Sequence, residues 1–174
     1  MNGNEANAGS DRFQRRVGMG ELAVLRGAGE LKTLLGSCIG LVLYDRQHVV
    51  AGLAHIVQPQ TERTDQPPGK YASTAVPELI RLIEQKGGRR CSLEAWFAGG
   101  ASMFDSNLSN QIGLQNSAAV RQLLRDFGIR VMAEDCGGKR GRQLSFDVAT
   151  GIATVAVLGN SPIVMQPSEQ GAHE

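Results

Sequence analysis

The apolar residues of this chain change their spacing partway along, and that change limits which elements it can build. Through the first third they come in short runs rich in Val, Ile and Leu, at 21–26, 31–35, 38–44 and 49–57, parted by glycine or by Asp45–His48. Runs of that length bounded by turn residues read as consecutive strands, here as a β-meander. From Thr74 the spacing becomes helical: Val76, Leu79, Ile80 and Ile83 recur at i, i+3, i+4 and i+7, Pro77 lies in the first turn, and Gly87-Gly88 stop the run. A second helix is expected from Asn116, a good N-cap, with Val120, Leu123, Leu124 and Phe127 on one stripe and Gly128 at its end. Strand-like runs return at 95–98, 129–133, 143–146 and 152–158, the last two joined by a hairpin-like turn over Asp147–Gly151. About eight strands and two helices without strict alternation predict a single α+β domain, two packed β-sheets flanked by helices.

The length, 174 residues with 41% hydrophobic, suits one such domain. Eighteen Lys and Arg against 17 Asp and Glu leave a formal charge of +1, so no strong field draws the chain to nucleic acid or anionic lipid. There is no apolar run of the roughly eighteen residues that membrane insertion needs, and the polar N-terminus lacks a signal-peptide core, so the expected location is the cytoplasm. Residues 1–16 read as a disordered leader, 17–161 as the folded domain and 162–174 as a flexible tail. Cys38, Cys91 and Cys136, odd in number and widely spaced, read as free thiols. Gly99-Gly100 and Gly137-Gly138 match no phosphate loop and read as turns, and Lys139, Arg140 and Arg142 as a solvated hairpin flank; no cofactor or metal motif emerges.

The segment that carries chemistry is Leu34-Leu35-Gly36-Ser37-Cys38-Ile39-Gly40, which sets a cysteine where one strand ends and the next begins. Glycine there permits a sharp turn, which can leave the thiol at an edge with peptide N–H groups aimed at a developing oxyanion. The second element is His55, the one histidine inside an apolar strand, since His48 lies in a turn and His173 in the tail. Two adjacent antiparallel strands would bring positions 38 and 55 together as a thiolate–imidazolium pair, which lowers the thiol pKa and relays a proton. The same residues also fit a bland reading, a buried free thiol acting as a small hydrophobe and a histidine satisfied in the core. With no third ligand beside them, a metal site is not expected.

Val17-Gly18-Met19-Gly20-Glu21, Thr33-Leu34-Leu35-Gly36-Ser37-Cys38-Ile39-Gly40 and Ala54-His55 together resemble the opening of the chemoreceptor glutamine deamidases, the CheD family of bacterial chemotaxis. The likeness continues through Phe97 to Phe104, Ile112-Gly113, Asn116, Glu134-Asp135-Cys136-Gly137-Gly138 and Gly141-Arg142, about residues 17 to 158. It implies a Cys–His pair with an upstream threonine that orients the histidine, which map to Cys38, His55 and Thr33. Some relatives carry that threonine one residue further from the cysteine, where Lys32 stands, and Ala98 and Cys136 are smaller departures. The implied reaction turns receptor glutamine side chains into glutamate, with release of ammonia, through a thioester on Cys38. The implied partners are the cytoplasmic helices of chemoreceptors and a CheC-type phosphatase that docks over the site. A receptor glutamyl methylesterase, or a non-catalytic docking module in which Cys38 is merely buried, are the alternatives.

Overall fold

The computed structural model describes residues 13–61, 63, 65–102 and 107–166. Two five-stranded sheets stack face to face, and both α-helices pack on the outer face of one of them. The element order is β1 (Gln14–Arg16), β2 (Leu22–Arg26), β3 (Glu30–Leu35), β4 (Ile39–Asp45), β5 (Val50–Ile56), α1 (Ala72–Gln85), a 3-10 turn (Arg90–Ser92), β6 (Leu93–Gly99), α2 (Asn107–Asp126), β7 (Arg130–Cys136), β8 (Arg142–Asp147), β9 (Ile152–Val157) and β10 (Ile163–Val164). One sheet runs β2-β5-β4-β6-β7 and the other β1-β3-β8-β9-β10. This is the α+β architecture expected from the sequence.

The reason for the layering lies in β4 and β5, every residue of which is buried. A strand covered on one face alternates apolar with polar, whereas one covered on both faces reads as an unbroken apolar run. On β4, Ile39, Leu41 and Leu43 face the helices, where they meet Val76, Leu79 and Ile83 of α1 and Val120 and Leu124 of α2. The alternate residues Val42 and Tyr44 face the second sheet, packing with Leu31, Leu35, Leu144 and Phe146. Tyr44, Trp96 and Phe146 form an aromatic cluster there, with Tyr44 and Phe146 edge to face at 5.0 Å. Cys38, His55 and Thr33, the residues singled out in the sequence, belong to this inter-sheet layer.

Several expectations are corrected. The opening strands are not one meander: β2, β4 and β5 share a sheet, but β3 crosses to the other, where it pairs with β8. Local spacing says that a segment is extended; it carries no information on which sheet the segment joins. Asn116 is not an N-cap, because α2 begins at Asn107 and Asn116 lies buried mid-helix. Its amide is spent on other segments, Nδ2 donating to the Ser37 and Val57 carbonyls at 3.2 and 2.9 Å. α1 starts at Ala72, two residues before the expected Thr74, so Pro77 falls in its second turn. Two short exposed strands, β1 and β10, lie within the spans read as leader and tail. Residues 1–12 of that leader and 167–174 of that tail lie outside the described residues.

Candidate active site

Strand alternation places the three residues singled out in the sequence around one point of the inter-sheet layer. In the β4–β5 ladder Gly40 is directly opposite His55, and Ile39 opposite Ile56. Cys38 is two residues before Gly40, so it shares the His55 face and lies diagonally across the ladder from it. Thr33 reaches the same point from the opposing sheet, on the buried face of β3 with Leu31 and Leu35. The approach of the two sheets here depends on Gly40. A Cβ on it would lie 2.9 Å from Thr33 Cγ2 and 3.0 Å from Leu35 Cδ1. With no side chain on β4 opposite His55, the threonine fills that space.

The hydrogen bonds around Thr33 fix the tautomer of the neutral histidine. Thr33 Oγ1 donates to the Val17 carbonyl at 2.7 Å, because a carbonyl can only accept. A hydroxyl has one hydrogen, so the 2.8 Å contact between Thr33 Oγ1 and His55 Nδ1 must be donated by the ring. The neutral imidazole is then the Nδ1–H tautomer, and Nε2 keeps its lone pair free to act as a base. Both residues are buried, Thr33 4% and His55 4% exposed. The spacing of Thr33 from Cys38, shorter than in some relatives, does not keep it from the histidine.

Burial pushes the Cys38 thiol up and the His55 imidazole down, the latter partly offset by the Val17 carbonyl and the Glu21 carboxylate. Both shifts favour the uncharged forms. Burial thus works against the thiolate–imidazolium pair expected from the sequence. The physical reason is the location: both side chains sit between two sheets rather than on a rim.

The backbone around Cys38 is anchored by its carbonyls. Cys38 O accepts from the Gly100 N–H and Gly36 O from the Ala101 N–H, both at 2.9 Å. Gly99 allows this, since a Cβ there, at a φ of 122°, would lie 2.0 Å from Cys38 O. Ser37 O takes the Asn116 amide. Among the described residues the N–H groups of Ser37 and Cys38 have no backbone acceptor. A pocket of about 260 Å³ opens beside His55 and Thr33, walled by Val17, Met19, Lys32, Leu34 and Gln143.

The other cysteines lie elsewhere. Cys91 precedes β6, which meets β4 with Leu93 opposite Asp45, the far end of the ladder from the Ile39–Gly99 pair. His48 lies at that far end too, on the buried Asp45 carboxylate at 2.7 Å. Cys136, opposite Gly99 on β7, packs with the helix-side core, and burial, reinforced by the Glu134 carboxylate, pushes its thiol up to about 12. Arg142 is a correction: it is 4% exposed, not a solvated flank. Its guanidinium donates to the Asp135 carbonyl and carboxylate and to Gly137 O, closing the turn whose Gly137 N–H donates to Gly99 O. Sequence reasoning missed Asn116 and Arg142 as side chains that hold this corner, since a polar residue in a helix and a basic one beside glycines read as surface.

Two sheets under one helical layer, with a buried cysteine and a threonine-held histidine on the facing surfaces, define an α+β protein that carries the residue types used in attack by a thiol on a carbonyl. The model of the family described as CheD chemotactic sensory transduction matches residues 56–157. The chain is 42% identical over 142 residues to the probable chemoreceptor glutamine deamidase CheD of Methanococcus vannielii, covering 80% of this chain and 92% of that one. It is 42% identical to the chemoreceptor glutamine deamidase CheD of Thermotoga maritima, covering 84% and 94%. Its identity with the probable counterpart in Desulforamulus reducens is 40%, covering 83% and 91%. This chain belongs to the CheD family.

Proposed function

We propose that the chain hydrolyses glutamine side chains of chemoreceptors to glutamate, with Cys38 as nucleophile, His55 as acid and base, and Thr33 as the group that holds the imidazole. The observation that carries this reading is the relay from His55 Nδ1 through Thr33 Oγ1 to the Val17 carbonyl. It leaves Nε2 free on the face of the ladder that Cys38 shares.

The chemistry follows from burial, which favours the uncharged thiol and imidazole. As Sγ attacks the carboxamide carbon, its proton passes to Nε2, so charge develops only as the bond forms. The oxygen of the tetrahedral adduct gains negative charge where the Ser37 and Cys38 N–H groups lie without backbone acceptors. The imidazolium then gives its proton to the departing nitrogen, which leaves as ammonia, and a thioester stays on Cys38. Water attacks that thioester while neutral His55 takes its proton. Glutamate and the thiol are released.

The substrate side is set by shape. The pocket beside His55 has Met19 and Leu34 on its walls, 74% and 59% exposed, an apolar rim suited to a helix surface rather than to a free amino acid. The same rim suits the CheC-type phosphatase expected from the family resemblance. Among the described residues no helix is long and apolar enough to cross a membrane, and a chain that acts on cytoplasmic receptor helices would meet them in the cytoplasm. The test is incubation with a receptor cytoplasmic fragment, following ammonia. Release that vanishes in Cys38→Ala supports the reading; release of methanol from a methylated fragment, without ammonia from an amidated one, replaces it with a methylesterase.

A further inference from the structure

The β4–β5 ladder stops at Ile39 and Ile56, and beyond that pair the two chains part. One leads back into the Gly36–Cys38 loop. The other leads on to Val57 and Gln58, whose N–H groups turn away to the Lys70 carbonyl. One side chain spans the gap. Asn116, fully buried on α2, donates from Nδ2 both to Ser37 O and to Val57 O, at 3.2 and 2.9 Å. Two carbonyl partners settle which end of the amide is nitrogen, because the reversed amide would set oxygen against both.

Three observations mark this residue as more than filling. Its Oδ1 is buried without a partner among the described residues, an unfavourable arrangement that a leucine of similar size would avoid. One turn earlier on the same helix face, Gly113 comes so close to Gly100 that a Cβ on it would lie 2.5 Å from Gly100 O. That close approach is what lets the amide reach both strands. Finally, the bonds from Gly100 and Ala101 tie the Cys38 loop to the end of β6, whereas the Asn116 amide ties it to the continuation of the His55 strand.

We propose that Asn116 is a positioning residue that sets the separation between Cys38 and His55 by clamping Ser37 to Val57. The inference rests on Cys38 and His55 acting as a pair, and its test reads that pair directly, without receptor. The rate of Cys38 alkylation by iodoacetamide at neutral pH is measured by peptide mass mapping in wild type, His55→Ala, Asn116→Leu and the double variant. Loss of the clamp shifts the loop by a fraction of an ångström to an ångström, so Asn116→Leu should slow alkylation by about 10- to 100-fold. Adding His55→Ala to it should change nothing further. A residue that only stabilises the fold would leave the His55 effect undiminished in the Asn116→Leu background, and that result overturns the proposal. If His55→Ala has no effect in the wild-type background, the pair itself fails and the clamp with it. Should Asn116→Leu give no cooperative melt, Asn116→Ser, which cannot reach both carbonyls and adds no bulk, carries the same comparison.

Discussion

Replacing Thr33 by valine keeps the shape of the side chain and removes one oxygen, yet that oxygen serves two buried groups. The Val17 carbonyl loses its 2.7 Å donor and the His55 Nδ1–H its 2.8 Å acceptor. A buried polar group stripped of its partner costs about 1–3 kcal/mol, but both groups border the pocket beside His55, where water can replace part of what is lost. The expected destabilisation is about 1–2 kcal/mol, which for a chain of this size lowers the melting temperature by about 2–8 °C. The catalytic loss should be much larger. Without the threonine oxygen only the Val17 carbonyl is left near the Nδ1 proton, so the ring is held less firmly, the Nε2–H tautomer becomes accessible, and the base is then absent from part of the population. Wrong orientation and tautomer together should lower kcat by about 10²- to 10⁴-fold with little change in KM. Ammonia release from a receptor fragment gives the kinetics, and calorimetry the stability. Thr33→Ser, which keeps the hydroxyl, should recover most of kcat. A Thr33→Val enzyme within about twofold of wild-type kcat would refute the reasoning, whatever its melting temperature.

Gly40→Ala puts a methyl 2.9 Å from Thr33 Cγ2, so it should displace the threonine and lower kcat; adding Thr33→Ser, which removes Cγ2 and keeps Oγ, should restore part of the loss, and a double variant worse than either single would contradict the geometry. The pH profile of kcat/KM should rise through a pKa below the ordinary histidine value and stay flat until a pKa above the ordinary thiol value, because the competent form is the neutral pair; an upper limb below the ordinary thiol value would show an ion pair instead. The depressed His55 pKa also means that the unfolded chain binds a proton the folded one refuses, so stability should fall as pH drops through the ordinary histidine range, and His55→Ala should flatten that slope in thermal melts. The segment after the His55 strand is closed at its neck by the Gln58–Tyr71 bridge and meets Gly20 through Gly69 and Lys70. Shortening it between Gln60 and Gly69 should impair deamidation of receptor while leaving Cys38 alkylation unchanged, and equal loss of both would place its role in folding.

What the sequence made legible was what one strand or helix decides by itself. Unbroken apolar runs at 38–44 and 49–57 revealed β4 and β5, and adjacency of those two strands was enough to bring Cys38 and His55 to one face. The contact of Thr33 with His55 was not readable from spacing, since it joins strands of different sheets, and the threonine entered only through family resemblance. β1 and β10 have three and two residues, all exposed, and leave no apolar pattern. The first turns of α2 also lack one: a glycine at 113 and polar neighbours hid a helix that closes tightly on Gly100. Charge states depended on depth. A Cys–His pair on a rim and one between two sheets have the same sequence signature, and only the depth of burial shows which way each pKa is pushed.

The central claim is that the amide is opened by Cys38 with loss of ammonia before water enters. Rapid acid quench of the enzyme with a glutamine-bearing receptor fragment, followed by intact mass and peptide mapping, tests that claim most directly. The account predicts a hydroxylamine-sensitive adduct on the peptide containing Cys38, with the mass of enzyme plus fragment less one ammonia. Deamidation that continues undiminished in Cys38→Ala, with no such adduct at any time point, would contradict it.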